Sequence, residues 1–248
     1  MRLKLIGCEV LCRELYYAAA LSPNVVDVEF LPKGLHDIGA QPMRERLQAV
    51  VDRVEPGIYE AILLGYALCN NGLVGLRARH TPLILPRAHD CITFFLGSKE
   101  RYEEYFYANP GVYFKTTGWT ERGVATGELT QLTVQRQTGM DSEYDELVAK
   151  YGEENAKYLW ETLCQGLRNY SKITFIEMGI ERDDRYEEDA KADARQRGWS
   201  FEKVAGDLGL LRRLADGPWE DREFLTVPPG YEIAASFDAG IVTAREAE

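Results

Sequence analysis

The chain has no excess of positive charge: 29 lysines and arginines stand against 40 aspartates and glutamates, a net charge of −11. Nonspecific nucleic-acid binding and adhesion to anionic membranes both need a basic surface. No local basic patch replaces it, so neither partner is expected. Nor is there a run of about 20 apolar residues, as a spanning helix requires. Near the start, Glu9, Arg13 and Glu14 interrupt the apolar residues, whereas a secretion signal needs an uncharged core. A cytoplasmic protein is the expectation. Low-complexity tracts are missing too, and 45% hydrophobic residues in a chain of 248 suffice for a sizeable core.

Two motifs are also missing. There is no Cys-x-x-Cys pair, which removes the usual zinc-ribbon and ferredoxin spacings. There is no G-x-G-x-x-G, which removes the dinucleotide fingerprint. The five cysteines are Cys8, Cys12, Cys69, Cys91 and Cys164. In a cytoplasmic chain an odd number argues against structural disulfides and leaves reduced thiols, a metal site or reactive cysteines.

What is present is a succession of short apolar runs and helical stripes. Residues 3–7 read as a buried strand, and residues 9–21 as a helix with Val10, Leu11, Leu15, Ala18 and Leu21 on one face. Residues 25–31, 61–65 and 83–85 read as further strands, with a helix over 44–54. That is the grammar of an α/β protein with a doubly wound, mostly parallel, Rossmann-like sheet. Residues 92–107 read as helical with a break at Gly97-Ser98, and Asn109-Pro110-Gly111 as a turn. The second half repeats strand–helix–strand order: a strand over 173–178, a charged helix over 183–197, a strand over 199–204. One wide sheet and two lobes both fit. The expected division is an N-terminal lobe over 1–115, a loop covering the site over 116–140, and a C-terminal α/β lobe over 141–248.

On that map Cys8 follows the first strand, Cys69 the third and Cys91 the fourth, all at the carboxyl edge where open α/β sheets bind ligands. Adjacent strands lie about 4.8 Å apart, so three thiols can converge there. Three thiolates leave one coordination position open, as in a catalytic zinc or a cluster with an accessible iron. Thiolates sharing one zinc would set sulfurs about 4 Å apart, and a cluster would hold them farther apart. The plain alternative is that all five cysteines are small core residues, among the most buried types. It is weakened for Cys69 by its loop, Leu68-Cys69-Asn70-Asn71-Gly72, and for Cys91 by Arg87, His89 and Asp90 just before it. Cys12 and Cys164 read as packing residues, and His36 and His80 as surface residues.

In this reading Cys8, Cys69 and Cys91 bind an iron–sulfur cluster or zinc. His89 acts as general acid/base with Asp90 orienting it. Asn70, Gly72 and Arg87 hold a small anionic substrate, helped by free backbone N–H groups where residues 70–76 open a helix. Arginines paired with acidic residues are the bland version of that last point. A metal-free enzyme with Cys69 or Cys91 as nucleophile is the alternative, and nothing in the residues decides whether the protein is an enzyme.

The segment GYALCNNGLVGLRARHTPLILPRAHDCITFFLGSKERYEEYF, with Gly7-Cys8-Glu9, Pro110-Gly111-Val112-Tyr113 and Gly118-Trp119, resembles an uncharacterised domain-of-unknown-function family, the DUF-1638 type, of anaerobes and methanogens. The resemblance covers most of residues 1–200 and brings no established activity. It implies a setting in corrinoid-linked one-carbon metabolism, in which an accessory protein of a corrinoid methyltransferase system is a further alternative.

Overall fold

The computed structural model describes residues 1–123, 127–138, 144–163 and 169–247. Strand β1 (Arg2–Cys8) runs through a 3-10 turn (Glu9–Leu11) into helix α1 (Cys12–Leu21). β2 (Val25–Leu31), a second 3-10 turn (Lys33–Asp37) and α2 (Ala40–Asp52) follow. β3 (Ala61–Gly65) and β4 (Leu83–Pro86) are buried at every position, as continuous apolar runs in a covered parallel sheet should be. β1 pairs with β2 on one side and β3 on the other, with Leu5 opposite Leu63 and Gly7 opposite Gly65. β4 pairs in parallel with β3. The order β2-β1-β3-β4 changes direction between β1 and β3, so the ends of β1, β3 and β4 open side by side.

The break expected at Gly97-Ser98 is there. Gly97, at φ +84°, ends α3 (Ile92–Leu96), and the Ser98 hydroxyl caps α4 (Lys99–Ala108) by accepting from the Arg101 amide at 3.1 Å. β5 (Val112–Lys115) comes next, followed by α5 (Thr117–Arg122), α6 (Leu129–Leu132), α7 (Val134–Thr138), α8 (Tyr144–Tyr151) and α9 (Glu153–Leu163). β6 (Lys172–Glu177), α10 (Arg185–Arg197) and β7 (Ser200–Ala205) carry the expected strand–helix–strand order. α11 (Gly209–Asp216), β8 (Phe224–Val227), β9 (Tyr231–Ala235) and β10 (Val242–Glu246) complete the described chain. Among the described residues no helix is long and apolar enough to cross a membrane.

The sheets do not divide where the sequence suggested. β5, expected in the first lobe, pairs with β6, which pairs with β7, in a separate parallel three-stranded sheet. Residues 209–247 return to the first sheet. α11 packs on α1, β3 and β4, and β8 pairs antiparallel with β4 as the fifth strand. The β9–β10 hairpin is tied to the segment after β3 through Ala78 N–H to the Tyr231 carbonyl, 2.9 Å, and Ile233 N–H to the Leu76 carbonyl, 2.9 Å. The region 116–140, expected as a loop, holds three short helices among its described residues. A single large core joins Leu5, Leu64 and Leu85 of the first sheet to Ile176 and Met178 of the second half.

Candidate functional site

The ends of β1, β3 and β4 place Cys8, Cys69 and Cys91 at one edge of the sheet. The loops after β3 and β4 are zipped together: the Leu68 amide donates to the Ala88 carbonyl at 2.9 Å and the Cys69 amide to the His89 carbonyl at 3.0 Å. Cys8 is buried; Cys69 and Cys91 keep part of their surface exposed. Burial is the main cause that pushes the Cys8 thiol up to about 12. Burial, then the Cys8 sulfur, raises Cys69; burial, then the Cys69 sulfur and Asp90, raises Cys91. All three therefore stand as neutral thiols, near enough that a charge on one disfavours a charge on another. The Trp119 indole donates to the Cys91 sulfur at 3.3 Å and favours the thiolate, against burial and the neighbouring groups that oppose it.

Cys69 begins a run of three non-glycine residues in the left-handed region: Cys69 at φ 47°, Asn70 at 55° and Asn71 at 65°. Each left-handed residue costs about 1–2 kcal/mol, less for asparagine, and such residues occur singly far more often than in runs. The run cannot continue a right-handed helix. The helix expected to open at 70–76 is therefore absent, and residues 70–75 are a series of turns. Gly72 closes the first of them, its amide donating to the Cys69 carbonyl at 3.0 Å, and a Cβ there would lie 2.4 Å from the Met43 sulfur. Asn70 and Asn71 are exposed. Replacing Asn71 with valine is expected to destabilise the protein by about 1–2 kcal/mol, because a β-branched residue tolerates the left-handed region worst. Urea denaturation reads this directly, and a loss below about 0.3 kcal/mol would remove the strain from the account.

Two buried polar atoms beside the thiols have no hydrogen-bond partner among the described residues: the Tyr66 hydroxyl and His36 Nε2. Tyr66 lies on the chain between β3 and Cys69, is 1% exposed, and feels the Cys8 and Cys69 sulfurs. His36 stacks on it with ring centres 5.9 Å apart, and burial pulls the imidazole down to about 4. His36 was expected at the surface, since turn residues and charges surround it in sequence. It is half-buried instead, stacked on the Tyr66 ring thirty positions away. His80 is exposed, as expected, and Cys12 is buried on α1. Cys164 lies outside the described residues.

The proton-handling pair is not assembled as expected. His89 is exposed, and its side chain has no hydrogen bond to the described residues. Asp90 is turned to other partners. One oxygen accepts from the Ile92 amide at 2.9 Å, starting α3, and the other from the Tyr102 hydroxyl at 2.9 Å. Arg87 is committed elsewhere too: its guanidinium donates to the Asp221 carbonyl at 2.6 Å, the Asp221 carboxylate at 2.7 Å and the Gly240 carbonyl at 3.0 Å. It fastens the C-terminal segment to β4 and does not face a substrate at the thiols. Among the described residues, no group of three or more His, Cys, Asp or Glu could hold a metal ion as placed.

A cavity of about 490 Å³ opens at Cys91, between α4, β5 and α5. Its size falls in the range of small-molecule sites. Trp119 stands in its wall and against the Cys91 sulfur, so α5, which the sequence left unpatterned, supplies the link between cavity and thiols.

Together these features define a mixed α/β protein with thiols and an aromatic cavity at the carboxyl edge of a mostly parallel sheet. A family model described as "Protein of unknown function (DUF1638)" matches residues 30–215, and the chain belongs to that family. The matched stretch contains Cys69, Cys91 and Trp119. No curated protein and no solved structure matches the chain.

Proposed function

We propose that Cys8, Cys69 and Cys91 ligate an iron–sulfur cluster, in a Rossmann-like, doubly wound unit whose adjoining cavity admits a small molecule. The observation that carries this reading is the strained run at Cys69: three left-handed residues hold one thiol at the edge where two other strands each deliver another. Backbone strain of this kind persists where function demands it. The unpartnered Tyr66 hydroxyl and His36 Nε2 agree with a site that awaits a further group. Ligation would deprotonate thiols that the protein alone keeps neutral.

The metal-free nucleophile is the poorer reading. Reactive cysteines sit in electropositive surroundings that lower their pKa, whereas all three here are raised by burial. Anaerobic purification followed by iron and sulfide analysis tests the proposal. Wild type is expected to carry both, and Cys69→Ser to lose most of them. Metal-free wild type, or Cys69→Ser with full iron, would sink it.

A further inference from the structure

We propose that the cavity beside Cys91 binds a small organic cation, an amine bearing alkyl groups or a quaternary ammonium. The inference stands on the cavity walls and holds whether or not the thiols carry a metal.

The walls are rings. Tyr102 and Phe106 from α4 are stacked, centres 5.7 Å apart; Tyr113 from β5 meets Tyr170 edge-on at 5.4 Å; Trp119 closes the side toward Cys91. Among the described residues no lysine, arginine or histidine lines the cavity, and Asp90 is the single charged one that does. An anion would meet a carboxylate and the negative faces of aromatic rings, with no cation among the described lining residues to balance it. A cation meets the reverse: ring faces attract it through their quadrupoles, and a carboxylate supplies the counter-charge. Lys33 shows that Trp119 accepts a cation, its ammonium standing 5.1 Å from the ring centre. That lysine is paired with Asp37 at 2.8 Å and does not line the cavity, so the site is not already filled by the protein's own cation.

Asp90 is also fixed in place. The Ile92 amide and the Tyr102 hydroxyl each hold one of its oxygens, which leaves the remaining lone pairs for a ligand without further ordering of the side chain. The volume, about 490 Å³, exceeds what a bare tetramethylammonium would fill. A cation carrying a polar or alkyl arm fits better, with the alkylated head among the rings.

Isothermal titration of the anaerobically purified protein with choline, with its uncharged isostere 3,3-dimethyl-1-butanol and with acetate separates charge from shape. Choline is expected to bind at least tenfold more tightly than the isostere, and acetate to give no binding heat. Tyr113→Ala, at a partly exposed position that the core does not depend on, is expected to weaken choline at least fivefold. Asp90→Asn, which keeps an acceptor for the Ile92 amide, is expected to do the same. No choline binding at millimolar concentration would overturn the proposal. So would an isostere that binds as well as choline, measurable binding of acetate, or choline affinity unchanged in Tyr113→Ala. Iron content measured on the same samples keeps this result distinct from the fate of the cluster.

Discussion

Replacing Glu14 with leucine is expected to stabilise the protein at pH 8, by about 3 kcal/mol more than the same substitution does below pH 4.5. Glu14 lies on the inner face of α1, between the buried Cys12 and Ala18, and is 1% exposed. Neither carboxyl oxygen has a hydrogen-bond partner among the described residues. Burial is the largest influence and raises the group from 4.5 to about 7; the residue's own backbone amide and then Arg13 oppose the rise, and Glu181 and Glu121 add to it. Arg13 can do little more, because its guanidinium is already engaged by Glu121.

A carboxyl group with a higher pKa in the folded state than in the unfolded one makes the folded chain the better proton binder. Its contribution to stability is complete below pH 4.5 and is lost as pH rises through about 7. Leucine cannot titrate, and so escapes that loss. Chemical denaturation of both proteins at pH 4 and pH 8 measures the difference. A leucine variant whose advantage is the same at both pH values would show that Glu14 has a partner in solution. Glu14→Gln should show the same pH trend with a smaller absolute gain, since an unpaired amide is still buried.

The parts of this molecule that could be read from sequence are those set by neighbours in the chain. The apolar runs that became β1, β3 and β4, the stripe of α1 as far as Ala18, and the Gly97-Ser98 break have local causes and are found in place, whereas Leu21, expected on that stripe, is exposed. Once those strands are ordered in parallel, the common edge for Cys8, Cys69 and Cys91 follows. What escaped depends on distant partners. Arg87 looked like an anion binder because its hydrogen bonds reach residues 134 and 153 positions away. β8 is only four residues long and finds its place through β4. His36 is half-buried against Tyr66, and Trp119 reaches Cys91 from a stretch rich in threonine and glycine that shows no periodic pattern. The left-handed run at residues 69–71 had one visible hint, the pair of asparagines, which accept that conformation better than most residues.

The second large effect is expected at Gly118, where alanine should cost about 3 kcal/mol, the upper end of the usual overpacking range. α5 crosses the 3-10 turn after β1 at very close range. A Cβ on Gly118 would fall 1.7 Å from the Val10 carbonyl oxygen and 2.8 Å from its carbon. Both atoms are backbone, and Val10 is 1% exposed within the main core, so the turn cannot retreat without moving Cys8 just before it. The helix must move instead. Its neighbours then lose their contacts: Trp119 with the Cys91 sulfur, and Glu121 with both Arg13 and the Tyr186 hydroxyl, the latter at 3.0 Å. The Thr116 cap, whose hydroxyl accepts from the Trp119 amide at 3.2 Å, offers a control. Thr116→Ala removes about 1 kcal/mol from the helix start without forcing it off the turn. Gly118→Ala should therefore lower the urea midpoint more than Thr116→Ala, and weaken choline binding, because Trp119 leaves the cavity wall. A Gly118→Ala protein within about 0.5 kcal/mol of wild type would mean that α5 does not dock on the Val10 turn, and that Trp119 does not seal the thiol site.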